Sequence, residues 1–298
     1  MSISLKTLAV VAAAALTYTA QAQDRQVTEP TALYAIKDVG AASGLIHKNG
    51  QLYIISDNSN YLYRYTIGQQ ELQRILVLDR GINEDVPKKY KADFEAVTDI
   101  DGTLYLFGSG SSRNRKALVK YSPDAQKVEK QSLHRLYRRL QRRFDVGQDD
   151  FNIEGALTIG DELWLFNRGN GPGAKNGIFI LNKADFKPKA FHPIPMSQLN
   201  GVALGFSDAI LIDSKVYFIA AAEGEGSTYH DGEIQGTVLG CLDPTNMKMD
   251  FIETISTSQK FEGLALEKKA DKQIDFLLCE DPDDGGSSST IYQLRLSL

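Results

Sequence analysis

Histidine and cysteine are scarce in this chain, with four of the first and two of the second in 298 residues. No histidine stands at a position related to either cysteine, so a catalytic thiol activated by an imidazole finds no support. Cys241 and Cys279 read as two buried thiols, although an exported chain also permits a disulfide between them. A strong charge of one sign is missing too: the formal net charge is −5 with 24 % charged residues, which excludes a global nucleic-acid footprint. Beyond residue 22 no run is long and apolar enough to span a bilayer. Phosphate-binding loops are absent as well. "NRGNGPGAKNG" and "GSGSSRNR" are glycine-rich but lack a strand–loop–helix frame ending in Lys-Ser/Thr. "EDPDDGG" lacks the alternating acids and distal glutamate of an EF-hand. Helical periodicity is nearly absent, which leaves an all-β chain of ordinary globular composition.

The N-terminus, "MSISLKTLAVVAAAALTYTAQAQ", has one lysine, an apolar run from Leu8 to Leu16, and then Ala20-Gln21-Ala22. A charged start, a short apolar stretch and an A-x-A site describe a secretory signal peptide. Residues 1–22 are therefore set apart from the fold at 23–298, and the protein is expected to be secreted or periplasmic.

One phrase recurs along the rest of the chain. "SGLIHKNGQLYIISD", "EAVTDIDGTLYLFGS", "EGALTIGDELWLFNR", "SDAILIDSKVYFIAA" and "EGLALEKKADKQIDFLLCE" begin at Ser43, Glu95, Glu154, Ser207 and Glu262, 52 to 59 residues apart. Ten positions after the opening residue stands an aromatic: Tyr53, Tyr105, Trp164 and Tyr217. A turn four residues longer in the fifth copy puts Phe276 in that place. Each unit reads as strand, polar turn, strand, loop and further strands such as "YLYRYTI", "KALVKYS", "GIFILNK", "GTVLGCLD" and "TIYQLRL". Four short antiparallel strands per repeat of about fifty residues make a propeller blade. A β-sandwich gives no reason for the self-similarity. The expectation is a single five-bladed β-propeller whose last blade borrows its fourth strand from "ALYAI", Ala32–Ile36.

The first strand of each propeller blade lines the central channel, so Ser43, Glu95, Glu154, Ser207 and Glu262 are expected to form one ring about the axis. Carboxylates ~5 Å apart repel by about 3 kcal/mol per pair at an effective dielectric near 20. They stay protonated unless a cation sits among them. Three carboxylates and two hydroxyls are an all-oxygen, hard-cation donor set that suits Ca²⁺; zinc prefers nitrogen or sulfur, and all four histidines lie off this phase.

The ring order, carried by "ASGLIHKNGQLYIISD", "ADFEAVTDIDGTLYLFGSG", "NIEGALTIGDELWLFNR", "GFSDAIL" and "KFEGLAL", resembles the calcium-activated nucleotidases, or apyrases. The resemblance implies a secreted five-bladed propeller with calcium in its channel, hydrolysing nucleoside di- and triphosphates. It implies a role for Asp57, in the place of an acid beside the calcium-bound water and the phosphates, for Arg168, in the place of an arginine, and for Glu223, near an acidic pair. Asn58 stands where that family has arginine, and "GSGSSRNR" stands where it has a tryptophan. "EGLAL" is also similar to the esterase-like phytase and related bacterial propellers.

The exits of the second strands gather polar residues at one mouth: Asp57, Asn58, Ser109 to Arg115, Asn167, Arg168, Glu223, Glu225 and Glu280 to Asp284. Asp57, Arg168 and Glu223 are the catalytic candidates, with Asn58, Arg113, Arg115, Asn167 and Glu280 as substrate contacts. Two functions fit. One is a calcium-dependent hydrolase of phosphoanhydrides or phosphoesters acting on a small phosphorylated molecule, with Asp57 as base. The other is a non-catalytic ligand- or protein-binding propeller pinned by its ion. A helix is expected only at residues 132–144, "SLHRLYRRLQRRF", inserted between blades 2 and 3 with one face packed on the propeller and an arginine-rich face in water.

Overall fold

The computed structural model describes residues 25–224, 234–281 and 285–298. The signal-peptide expectation for residues 1–22, along with Glu225 and residues 282–284 of the mouth, lies outside the described residues. Five antiparallel sheets surround one axis. The chain opens with β1 (Gln26–Val27) and β2 (Thr31–Lys37). Blade 1 follows as β3 (Ala42–Lys48), β4 (Gln51–Ser56), β5 (Tyr61–Thr66) and β6 (Glu71–Leu76). Blade 2 is β7 (Phe94–Ile100), β8 (Thr103–Gly108), β9 (Ala117–Ser122) and β10 (Lys127–Ser132). After the helix α1 (His134–Phe144), blade 3 is β11 (Ile153–Ile159), β12 (Glu162–Asn167), β13 (Gly177–Asn182) and β14 (Pro188–Pro193). Blade 4 adds a short β15 (Gln198–Leu199) to β16 (Val202–Ile212), β17 (Lys215–Glu223), β18 (Ile234–Asp243) and β19 (Lys248–Ser256). Blade 5 is β20 (Phe261–Ala270), β21 (Gln273–Glu280) and β22 (Ser288–Ser297). β2 pairs with β22 as its outer strand and joins the two ends of the chain, as "ALYAI" predicts. β1 extends the same edge.

Strands such as "LYII", "LWLF" and "VYFIAAA" are apolar on both faces because each blade is covered by a blade on either side. The core is accordingly five layers, one between each pair of neighbouring blades. Each fully buried Leu, Ile or Phe in them contributes roughly 1.5–3 kcal/mol. Tyr53, Trp164 and Tyr217 fill three of these layers. Phe276 departs from the expected repeat. The four earlier aromatics pair with the third residue after the ring position (Ile46↔Tyr53, Thr98↔Tyr105, Leu157↔Trp164, Ile210↔Tyr217), but in blade 5 that residue, Ala265, pairs with Leu277. A second register shift between Leu266 and Lys268 takes up one residue of the longer hairpin. A one-residue slip reverses the face of a strand residue. Phe276 therefore packs toward blade 4, and Leu277 toward blade 1.

Cys241 and Cys279 are free, buried thiols in two different layers. On α1, Tyr137 and Leu140 are buried between blades 2 and 3, together with Leu133 just before it, while Leu136 and Phe144 pack at the margin. The basic face is left outside, as the 3- and 4-residue spacing predicts. No helix among the described residues is long and apolar enough to cross a membrane.

A charged channel as candidate functional site

Every inner strand is interrupted at its ring residue. The pairing steps from Ala42 to Gly44, Phe94 to Ala96, Ile153 to Gly155, Phe206 to Asp208 and Phe261 to Gly263, in each case skipping one residue. The skipped residues are Ser43, Glu95, Glu154, Ser207 and Glu262. A bulge frees one residue from the ladder and re-aims its side chain, and five in the same place build the ring. Small residues next to the bulges let the inner strands converge. A Cβ on Gly155 would lie 3.1 Å from Asp208 Cα, and one on Gly263 would lie 2.9 Å from the Leu45 nitrogen.

Hydrogen bonds fasten the strands where they converge. Ser43 Oγ donates to the Phe94 carbonyl at 2.5 Å, tying blade 1 to blade 2. Asp208 accepts from the Leu264 amide at 2.9 Å, tying blade 4 to blade 5, and from its own neighbour Ala209 at 2.8 Å. Ser207 Oγ is buried without a partner.

The ring acids meet a partly basic surrounding that the repeat alone does not reveal. Arg168 lies 3.8 Å from Glu154 and 2.6 Å from Glu223. Lys260 lies 2.8 Å from Glu262 and 3.8 Å from Glu223. Lys91 pairs with Asp57 at 2.5 Å, and Arg115 with Asp93 at 2.9 Å. Asp57, Asp93 and Glu95 each offer a carboxylate oxygen within 4.8 Å of the others. Among the described residues Glu95 is the ring acid with no basic partner within 4 Å. These ten groups comprise six acids (57, 93, 95, 154, 223, 262) and four bases (91, 115, 168, 260), a formal balance of −2.

Burial controls their titration. It raises Glu95 well above the ordinary glutamate value, and Glu154, Asp93, Glu262 and Asp57 add to the rise. Burial pushes Glu154 up to about 8 against the pull of Arg168, with Glu262 adding to the rise. Asp57 and Asp93 are raised by burial, opposed by Lys91 and Arg115 respectively. Burial works against the Arg168 charge, yet Glu154, Glu223 and Glu262 together hold its pKa above normal. A divalent cation would remove much of this strain. The donor set fits a hard ion: carboxylate oxygens close together, and Asp57 Oδ1 buried without a partner.

The structure sorts the predicted site residues. Glu95, Glu154 and Glu262 converge, joined by Asp57, Arg168, Glu223 and Arg115. Asn167 is fully buried and fixes loops: its amide donates to the carbonyls of Asp150 and Lys175, both at 2.8 Å, and its oxygen accepts from the Asn152 amide at 2.9 Å. Asn58 accepts from Ser56 Oγ at 2.8 Å. Glu280 accepts from the Tyr292 hydroxyl at 2.5 Å and from Gln259 at 3.3 Å. Arg113 is exposed and lines a groove beside α1, outside the ion-pair network of the channel. Lys91, Asp93 and Lys260 are the charged residues that the repeat phase missed. Asp93 and Lys260 stand two residues before Glu95 and Glu262, immediately ahead of the inner strands β7 and β20, at the same offset in both copies. "ADFE" and "QKFE" thus carried the signal.

Fold and channel together define a five-bladed β-propeller with a partly self-neutralised acidic channel. The chain belongs to DUF6929, a family of unknown function whose model matches residues 38–296. No match was found among curated proteins. Among solved structures it is similar to Myxococcus xanthus glutaminyl cyclase, with a TM-score of 0.53 at 10% identity over 90% of this chain and 96% of that one. It is also similar to the Bacteroides ovatus xyloglucan PUL GH43B protein, with a TM-score of 0.52 at 10% identity over 89% and 54% of the two chains. An exo-1,5-alpha-L-arabinanase from a bovine ruminal metagenomic library aligns with a TM-score of 0.48 at 15% identity, over 86% and 93%. At such identities the likeness is one of fold, which does not carry function with it.

Proposed function

We propose that this protein is an exported propeller that seats a divalent cation, calcium by donor chemistry, in its channel and uses the site to bind and hydrolyse a small phosphorylated molecule. The observation that carries this reading is the group Asp57, Asp93 and Glu95, whose oxygens lie within 4.8 Å of one another while Asp57 Oδ1 is buried without a partner. The seat lies to the blade 1 and 2 side of the axis, because Glu95 has no basic partner within 4 Å among the described residues, whereas the ring acids Glu154 and Glu262 already face Arg168 and Lys260. Glu95 belongs to both the ring and this group. A bound calcium ion would supply positive charge beside a phosphoryl oxygen and order a water. Asp93 and Glu95 are the assigned cation ligands, while Asp57 holds its Oδ2 on Lys91 and its unpartnered Oδ1 is the assigned proton acceptor beside them. Arg115 and Lys91 supply positive charge on the same side of the channel. The resemblance to calcium-activated nucleotidases rests on the ring residues and Asp57.

A second reading is favoured by a specific observation. Arg168 and Lys260 have side chains only 9 % and 8 % exposed and already face acids. A channel that satisfies its own charges suits a non-catalytic propeller whose interior is structural and whose ligand binds elsewhere. Calorimetric titration with calcium, paired with a phosphate-release screen over nucleotides, phytate and sugar phosphates, separates the two. The first reading requires calcium binding lost in Glu95→Gln and turnover lost in Asp57→Asn. Calcium binding without turnover on any phosphorylated compound leaves the second. No calcium binding refutes the cation seat.

A further inference from the structure

Outside the channel, α1 and the loop after β8 enclose a groove of about 440 Å³ lined by Ser111, Arg113, Lys116, His134, Arg138 and Gln148, with Ser112 and Gln141 completing it. None of these residues is acidic. Arg113, Lys116 and Arg138 have no acidic partner among the described residues. The walls are held by hydrogen bonds. The Gln148 amide donates to the carbonyls of Gly110 at 3.0 Å and Ser111 at 3.1 Å, fastening the loop. Its oxygen accepts from Lys116 at 2.9 Å and from Gln141 at 3.3 Å. Beneath the loop, Tyr137 of α1 donates to the Gly108 carbonyl at 2.7 Å, which fixes the helix against blade 2. The helix offers no acid in its first turn to offset this charge.

From this cavity and its uncompensated cations we infer a binding site for a compact, multiply charged oxyanion: a phosphate- or sulfate-bearing small molecule held by Arg113, Lys116 and Arg138. Three cations facing one groove repel one another, and an anion between them replaces that repulsion with charge-assisted hydrogen bonds. The perturbed titrations agree. Burial, followed by Lys116, Arg113 and Arg138, lowers His134, and burial followed by Arg138 lowers Lys116. The site shares no ion pair with the channel and stands whether or not the channel is catalytic. The helix sequence explains the placement: His134, Arg138 and Gln141 fall on one face at helical spacing, while Arg135 and Arg139 do not line the groove.

The test is calorimetric titration of the full chain with inorganic pyrophosphate, phosphate and sulfate at matched ionic strength, using Arg113→Ala/Arg138→Ala and, as a control of equal charge change, Arg135→Ala/Arg139→Ala. Thermal melts establish that both variants fold. Wild type and control should bind pyrophosphate alike, with the groove variant at least about tenfold weaker. Uptake of phosphate without sulfate assigns a phosphoryl ligand; uptake of sulfate without phosphate assigns a sulfuryl one; both outcomes support the site. Equal weakening in the two double variants would show diffuse charge attraction and overturn it. So would the absence of binding to all three anions. The titrations are run in chelator, which withholds the cation the channel reading requires, so failure here is distinct from failure of that reading.

Discussion

In metal-free solution the stability of this protein should fall as the pH rises from about 5 to 8, and Glu154→Gln should remove much of that fall. Glu154 is only 4 % exposed, and burial pushes its pKa from 4.5 up to about 8. An acid whose folded-state pKa lies above its unfolded value favours the folded state while it keeps its proton. That contribution is complete below the unfolded pKa and is lost as pH rises through the folded one. The interval from 4.5 to about 8, at about 1.4 kcal/mol per unit, corresponds to a loss on the order of 5 kcal/mol. That is a large share of a typical folding stability of roughly 5–15 kcal/mol. Glutamine keeps the shape and the oxygen that accepts from Asn152 but has no proton to lose. Arg168 retains Glu223 at 2.6 Å. Urea unfolding in chelator at pH 5 and pH 8 measures the effect. The wild-type midpoint should drop across the interval, and the variant's should drop much less, leaving Glu154→Gln the more stable protein at pH 8. Glu95, raised in the same direction, leaves a residual slope in both. Parallel wild-type and variant profiles would refute the reasoning, as would a variant less stable at pH 8. With calcium present the ionised acids are favoured, so the wild-type slope should shrink. An unchanged slope would reject the cation seat while leaving the titration of Glu154 standing.

Excess calcium should raise the melting temperature by several degrees and chelator should reverse it, since an ion bound only to the folded state stabilises by mass action; differential scanning fluorimetry reads this directly. Arg168→Met should cost about 3–5 kcal/mol in urea unfolding at pH 8, because it removes the buried cation that Glu154 and Glu223 both face. Tyr137→Phe should cost about 1–2 kcal/mol by leaving the buried Gly108 carbonyl without its donor. Gly263→Ala should be more damaging than Gly50→Ala relative to the open space each meets: the added carbon would lie 2.5 Å from Cys279 Sγ at the first position and meet nothing within 4 Å at the second, where a positive φ is the only penalty.

The blades were legible because each one buries both faces and so needs the same apolar pattern. The ring was legible because a bulge in one fixed place singles out one polar residue per copy. Ring closure by "ALYAI" follows from a fifth blade with only three strands of its own. β10, "KVEKQS", was not legible: it is an outer strand, mostly exposed, whose only apolar residue is Val128. The register of blade 5 was hidden for a related reason. A longer hairpin can take up extra residues in its turn or in a bulge, and sequence spacing does not distinguish them. Asn167 appeared to be a mouth residue by position, but its three polar contacts to backbone make it a loop fastener.

What sets the channel's chemistry is how the five copies differ at equivalent positions. Two residues before the ring stand Ala41, Asp93, Asn152, Gly205 and Lys260. At the second-strand exits, the amides of Asp57, Ser109, Arg168 and Asp281 donate back to the carbonyls of Ala41, Asp93, Asn152 and Lys260. These backbone bonds hold the exit residues beside the inner strand in four blades alike, so their side chains are free to differ without cost to the fold. In blades 1 and 2 the differences place Asp57 and Asp93 beside Glu95. In blades 3 to 5 they place Arg168 and Lys260 beside Glu154, Glu223 and Glu262. Each side then carries three acids and two bases, but the blade 1 and 2 side holds Glu95, the ring acid with no basic partner within 4 Å among the described residues. The proposed cation seat follows from that difference: the blade 1 and 2 side offers Glu95 beside Asp57 and Asp93, whereas the ring acids Glu154 and Glu262 each already face a base. One substitution on each side tests the asymmetry. Asp93→Asn should weaken calcium binding more than Glu262→Gln does, although only Glu262 belongs to the ring. Equal losses in the two variants would place the ion on the axis instead.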